Sequence, residues 1–405
     1  MTATASRATR GQIRRAFLGG IAAHLLTIGI ARFAYTPLLP VMQAEAGLGQ
    51  QAAGLLGALI YAGYLSAVLL LSALRDPARR LAVFRACLVL AVASTAMMAL
   101  SDRLWLWALS RYLGGFSGAG GMLLAAEFLL GWLRRSGARP DLGPHFTGLG
   151  LGICLSGLVT LGLGGHLGWA GQWSAFALLG AALLPLAWVL VPRPAPAAPA
   201  QAAGSGPAPR SRGATRWFAL FGAGYLAAGW GYAAGATFAV DILAAAGHGG
   251  GTAASVWVIL GLATAAGPVI ASACARWSGL MPVLLAAMAL QALSLAGFAL
   301  PLGLAASFAA AMLFGASFMA IVATSLLLAG LKQPEAAGQA MARLTLLYGT
   351  GQMLAPPVTA FLAERSGGYA LPILLAAGLS AAGLALMALA GGSSEGPVSP
   401  RQAPR

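Results

Sequence analysis

The stretch FLGGIAAHLLTIGIARFAYTPLL, from Phe17 to Leu39, carries a single formal charge, Arg32. About 20 apolar residues in an α-helix cross a bilayer core, so this run is long enough to span one. Arginines at positions 7, 10, 14 and 15 precede it, as in a signal peptide. The apolar run exceeds a cleaved h-region, so a retained first helix is expected. Working outward, apolar runs of similar length separated by polar or Gly/Pro-marked breaks predict further helices over 52–74, 81–100, 104–133, 147–167 and 172–191. After an interruption they continue over 217–240, 253–275, 280–300, 304–331, 341–363 and 369–390. The expected fold is all-α and integral to a membrane, with twelve transmembrane helices in two pseudo-symmetric six-helix bundles.

Composition agrees. Charged residues make up 8% of the 405 positions and hydrophobic residues 59%, where a soluble domain carries about 25% charged. The net charge of +15 is scattered between apolar runs and forms no basic face for nucleic acid. Only Lys332 is a lysine. Cys87, Cys154 and Cys274 lie far apart in apolar runs without metal-ligand spacing and are expected to be buried packing residues.

Positive residues set the orientation. Taking both termini to one side, eighteen of the 24 Lys and Arg fall on that side, among them Arg75, Arg79, Arg80, Arg134, Arg135, Arg139, Arg276 and Lys332. Arg103 and Arg365 fall on the other, and Arg32, Arg85, Arg111 and Arg343 lie within helices. The termini are therefore expected in the cytoplasm, and the location is the inner (plasma) membrane of a bacterium. Residues 192–216, rich in Pro, Ala, Gly and Ser, read as a cytoplasmic linker between bundles 1–191 and 217–390, and 391–405 as a disordered tail. A shift of 200 positions superposes Gly29 on Gly229, Gly47 on Gly247 and Gly115 on Gly315, and a shift of 201 does so for Gly148 and Gly150 on Gly349 and Gly351. This favours a duplicated six-helix unit.

The block Gly29-Ile-Ala-Arg32-Phe-Ala-Tyr35-Thr-Pro37-Leu-Leu-Pro40, followed by Met42-Gln43 and Gly47, resembles the YbfB/YjiJ-type branch of the major facilitator superfamily. Arg111-Tyr-Leu-Gly-Gly115 resembles that superfamily's helix-4 motif. Asp76 with Arg79-Arg80 resembles its inner-loop motif, with Ser72 and Pro77 departing from the pattern. The resemblance covers all twelve helices and implies a central cavity lined by helices 1, 4, 7 and 10.

Ionisable residues inside a membrane helix are functional candidates by default. Arg32 lies seven residues before Leu39 and Arg111 seven after Leu104, each about 10 Å from the same end of the bundle at 1.5 Å per residue. By the resemblance both face one site, where two guanidinium groups suit a carboxylate or phosphate. The other reading is that each caps backbone carbonyls or braces packing; the resemblance adds a third, proton coupling by the helix-4 arginine. Tyr35 shares a helix face with Arg32, and Tyr232 occupies the related position on helix 7 near Trp230. Gln352, between Gly349-x-Gly351 and Pro356-Pro357, either lines the cavity or satisfies carbonyls freed by a proline kink. These five, Arg32, Tyr35, Arg111, Tyr232 and Gln352, are the expected substrate-binding residues. By the resemblance Asp76, Arg79, Arg80 and Glu127 form an inner gate; a solvated interfacial Glu127 is the alternative. His24 reads either as a proton relay or as a packed neutral histidine.

HExxH, a Walker A loop, a nucleophile elbow and paired catalytic carboxylates are not found, so neither an enzyme nor ATP-driven transport is expected, and no cofactor or metal. The expected function is secondary active transport of a small organic solute, an anion or amphipathic metabolite, by alternating access coupled to protons, in the direction of export. Efflux of neutral or cationic drug-like compounds is the alternative, and a channel or non-transporting sensor the alternative of another class. Expected partners are the small-molecule substrate, membrane lipid and protons; no nucleic acid is expected, and the protein is expected to be monomeric.

The sidedness is testable with single cysteines in a cysteine-free background. A membrane-impermeant thiol reagent added to intact cells should label Arg103→Cys and Arg365→Cys but neither Arg134→Cys nor Arg276→Cys; the opposite pattern would invert the orientation.

Overall fold

A computed structural model describes residues 8–138, 142–194, 212–333 and 337–392, and all regular structure among them is helical. The first span is α1 (Arg10–His24), a π-helical segment (Leu25–Ile30) and α2 (Tyr35–Ala46). Then follow α3 (Gln50–Ala73), α4 (Pro77–Leu100), α5 (Leu104–Arg135), α6 (Gly143–Leu163) and α7 (Trp169–Leu190). The second half contains α8 (Arg212–Ala245), α9 (Gly250–Ser278), α10 (Leu280–Ala299), α11 (Leu304–Lys332), α12 (Ala337–Ser366) and α13 (Ala370–Gly392).

Eleven of these spans are long and apolar enough by themselves to cross a membrane. The twelfth, α12, contains Arg343, Gln352, Pro356 and Pro357, and packs between α8 and α3. Burial against other helices lets a less apolar segment sit at membrane depth. The first span differs from expectation: it runs well beyond 17–39 and is not one continuous α-helix. Residues 212–216, expected in the linker, are already helical, while 195–211 and 393–405 lie outside the described residues. Cys87 and Cys154 are buried as expected, but Cys274 is exposed on the bundle surface.

Within the first half α5 packs on α3 and α4, and α7 on α4 and α1; within the second, α8 packs on α12 and α13, and α11 on α9 and α10. The halves meet where α6 packs on α9, α3 on α12 and α2 on α8. In both halves a glycine of the fourth span sits directly on the backbone of the second: a Cβ on Gly115 would strike the carbonyl of Ile60, and one on Gly315 the carbonyl of Leu260. These pairs are related by the 200-residue shift. Bare backbone faces allow the close approach that drives association where lipid offers no hydrophobic gain.

The loop end of the bundle carries the connections after α2, α4, α6, α8, α10 and α12; the terminal end carries the others. Gly47 and Gly247 close α2 and α8 there at φ +65 and +83, a left-handed conformation that costs a glycine least. Toward the loop end, hydrogen bonds among the described residues join the halves, including Thr36 to Ala236, Gln43 to Asp241, Gln51 to Glu364 and Trp257 to Ser156. The prolines of α12 belong to this seam, since Pro356 and Pro357 sit against Gly54 and Gly57 of α3.

Gly115→Val should destabilise the purified protein by about 1–3 kcal/mol through overpacking, seen as a lower thermal midpoint. Gly162→Val, on a helix face with open space around it, is the control expected to change little; equal midpoints would refute the close α3–α5 contact.

Candidate functional site

The break in the first span follows from its own sequence. Ala31 and Phe33 donate their N–H groups five residues back, to Leu26 at 3.1 Å and Ile28 at 3.0 Å, which makes the preceding turn a π-helix. Pro37 has no N–H for the carbonyl of Phe33. Thr36 N–H turns to that carbonyl instead, at 3.3 Å, and so abandons the carbonyl of Arg32. Arg111, from α5, fills the vacancy: its Nη2 donates to the Arg32 carbonyl at 3.2 Å and its Nη1 to the carbonyls of Arg32 and Ala31 at 3.3 Å each. Its guanidinium also lies 4.4 Å above the Tyr35 ring. Of the readings open for Arg111, the geometry is that of a carbonyl cap.

Arg32 is placed differently. Its side chain is half-buried, with Cζ 5.3 Å from the centre of the Phe33 ring, 5.0 Å from Tyr61 and 5.3 Å from Tyr64. The hydroxyls of Tyr61 on α3 and Tyr232 on α8 come within its reach. Among the described residues no carboxylate pairs with it. Arg32 and Arg111 thus line one small cavity between the halves, with Tyr35, Thr36, Tyr61 and Thr237. Its volume of about 10 Å³ is room for roughly one water. Thr36 closes one wall by donating to the carbonyl of Ala236 at 2.8 Å, across the pseudo-twofold relation itself.

Behind Tyr232 an aromatic wall continues through the second half: its ring lies 4.7 Å from Phe318 and 6.2 Å from Tyr348, and Tyr348 stacks on Tyr225 at 4.6 Å. Such a wall presents flat apolar surface with polar tips. Tyr35 donates to the carbonyl of Ala53 at 3.0 Å, tying α2 to α3. Gln352 is buried in α12 but does not reach the Arg32 cavity; neighbouring Gly351 packs on the α8 backbone at Leu226 and Trp230. His24 is packed, its ring 4.2 Å from His145 at 86° and its Nδ1 3.1 Å from the Gly20 carbonyl.

Of the four inner-gate candidates the structure joins Arg80 to Glu127 in an ion pair between α4 and α5. Arg80 also donates to the Leu74 and Leu71 carbonyls that end α3. Asp76 caps α4 by accepting from the backbone N–H groups of Ala78 and Arg79, a standard use of aspartate at a helix start. The Arg79 side chain is 78% exposed and 3.7 Å from Asp76. All four lie in the first half.

Sequence reading missed Tyr61 and Tyr64, whose i,i+3 spacing puts them on one face of α3 and was the available signal. It also missed Asp241, buried near the loop end of α8, because the seventh helix was expected to stop at 240. Gln43 Nε2 donates to Asp241 Oδ2 at 3.3 Å, and the Tyr369 hydroxyl donates to the same oxygen.

Arg111→Ala should strand the Ala31 and Arg32 carbonyls and lower stability by about 1–3 kcal/mol, with Arg111→Lys intermediate, measured by thermal or chemical denaturation in detergent. Unchanged stability with lost transport would move Arg111 from capping to ligand chemistry.

Among solved structures, a crystal structure of a mutant of nucleoside transporter NupG shares the fold at TM-score 0.73 and 15% identity, covering 93% of this chain and 99% of that one. A bacterial homologue of the human lysosomal transporter Spinster, crystallised inward-facing and occupied, does so at TM-score 0.71 and 14% identity, covering 96% and 98%. A search of curated protein sequences finds no match. The family described as uncharacterised MFS-type transporter YbfB matches residues 24–389. Among the described residues, twelve helical spans in two related halves that meet around an arginine-lined cavity fit that assignment, and the chain belongs to the YbfB-type family of multi-pass membrane transporters of the major facilitator superfamily.

Proposed function

We propose that this secondary transporter moves a small organic anion, or an amphipathic metabolite with an anionic group, across the bacterial inner membrane by alternating access. The observation that carries the reading is Arg32: a guanidinium at membrane depth between the two halves, bracketed by three aromatic rings, with no carboxylate partner among the described residues. An unpaired charge there is costly, and a substrate carboxylate or phosphate supplies the missing partner. Arg111 contributes by holding the backbone from which Arg32 projects. Tyr35 lines the cavity, Tyr232 stands beside Arg32 outside that lining, and Gln352 has the weaker claim as a binding residue.

The charge distribution supports cytoplasmic termini and an external loop end. On that orientation the seam from Thr36 to Glu364 is a closed outer gate. Arg80, Glu127, Asp76 and Arg79 then stand at the inner mouth, where the Arg80–Glu127 pair braces the first half as the inner side opens. Proton-coupled export by a monomer completes the reading. The aromatic wall of Tyr225, Tyr232, Phe318 and Tyr348 favours one second reading, efflux of flat neutral or cationic compounds.

A thermal-shift screen of the purified protein against a metabolite and drug library discriminates the two, because a ligand that prefers the folded state raises apparent stability. Carboxylates or phosphates should dominate the hits and lose their effect in Arg32→Ala. Apolar hits indifferent to that substitution would overturn the anion reading in favour of efflux.

A further inference from the structure

The seam at the loop end contains a carboxyl group for which the transport reading has no use. Asp241 is 5% exposed, near the end of α8, and lines an open cavity of about 520 Å³ with Gln43, Gln50, Leu48 and Tyr369. The two donors it meets, Gln43 from the first half and Tyr369 from the start of α13, both end on Oδ2, and among the described residues Oδ1 receives none. With both donors on Oδ2, Oδ1 is free to carry a proton, as the hydroxyl of a neutral acid whose other oxygen accepts twice.

Among the described residues no cation pairs with Asp241. Facing Asp241 are Tyr35 on α2 and the Tyr369 hydroxyl, both neutral at physiological pH, with the amides of Gln43 and Gln50 beside them. Glu45, also on α2, is turned to α7, where it accepts the Trp169 N–H at 2.7 Å. On α12, Glu364 accepts from Gln51 at 2.6 Å and Arg365 lies over the Phe361 ring. His248 lies in the connection after α8, and α9, α10 and α11 carry no charged residue at this end.

We propose that Asp241 is a proton-binding site of the loop-end gate, protonated while the two halves are closed around it and ionised when they part. Closure leaves the carboxyl 5% exposed between two neutral donors, which disfavours its anion. Separation breaks the Gln43 bond, admits water and releases the proton to the solution on that side. Acid at the loop end therefore stabilises closure, and alkali favours opening. The proposal rests on the alternating-access reading and on no particular solute.

Spin labels at Ala44→Cys and Ala245→Cys, on opposite lips of the cavity, test it in the full chain with Cys87, Cys154 and Cys274 replaced by Ser and the protein in lipid nanodiscs. Pulsed electron resonance should show the short distance at about pH 5.5 and at least about a tenfold higher ratio of long to short at about pH 8.5. Asp241→Asn, neutral at every pH, should stay short, with less than about a twofold change over the same range. Should that variant not fold, Asp241→Ser, also without a titrating group, carries the same expectation. Lips that part in response to pH equally in the variants overturn the proposal, as do lips that part without regard to pH in the parent protein. Lips that never part, with or without the ligands found by thermal shift, overturn the alternating-access reading as well.

Discussion

In lipid, a backbone carbonyl that loses its helical partner has no water to turn to. The first span of this protein is built around that constraint. Pro37 withdraws one N–H, the neighbouring bonds shift by one place in each direction, and the carbonyl of Arg32 is left over. Arg111 reaches across from α5 to take it. One buried cation thereby stabilises a broken helix, and the broken helix aims a second cation, Arg32, at the rings of Tyr61 and Tyr64. The two arginines sit at similar depth for different reasons. One satisfies the chain, and the other has no acidic partner among the described residues.

The halves are joined by contacts that depend on the absence of side chains as much as on their presence. Gly115 on Ile60 and Gly315 on Leu260 repeat one close crossing in each half. Between halves, Gly150 and Gly157 of α6 meet the backbone of α9, and Gly54 and Gly57 of α3 receive the proline pair of α12. Small faces of this kind can slide or part without leaving cavities lined by large side chains, as two halves rocking against each other require. The polar bonds of the seam are few, and each joins a residue of one half to a residue of the other. A proton at Asp241 acts on one of the few bonds that must break.

The resemblance in the 29–40 block and the helix-4 motif named the superfamily correctly, because those residues are local in sequence. The division of labour between Arg32 and Arg111 was not legible there. Both arginines have the same spacing from a helix end, and only the bond shift around Pro37 tells which guanidinium faces backbone. Gln352 had two readings in sequence, cavity lining or satisfying carbonyls freed by a proline kink; in the structure its neighbour Gly351 packs on α8, and Gln352 does not line the Arg32 cavity. Asp241 was overlooked for a plainer reason. A hydropathy run ends at the first acidic residue, whereas the helix continues to Ala245, and Gln43 and Tyr369 supply the Asp241 side chain with donors from two other elements.

What the sequence by itself determined is the set of properties that add up along the chain. Apolar run length, the bias of positive charge and the 200-residue repeat of glycines specify a membrane protein of two related halves, since each depends only on a residue's own transfer cost or backbone freedom. The tertiary structure decided what depends on partners distant in the chain: the cap on the Arg32 carbonyl, the aromatic bracket around its guanidinium, and the seam that buries Asp241 between halves. Hydrogen bonding and burial at membrane depth are pairwise quantities. Residues 79 or 198 positions apart meet only after the helices have packed.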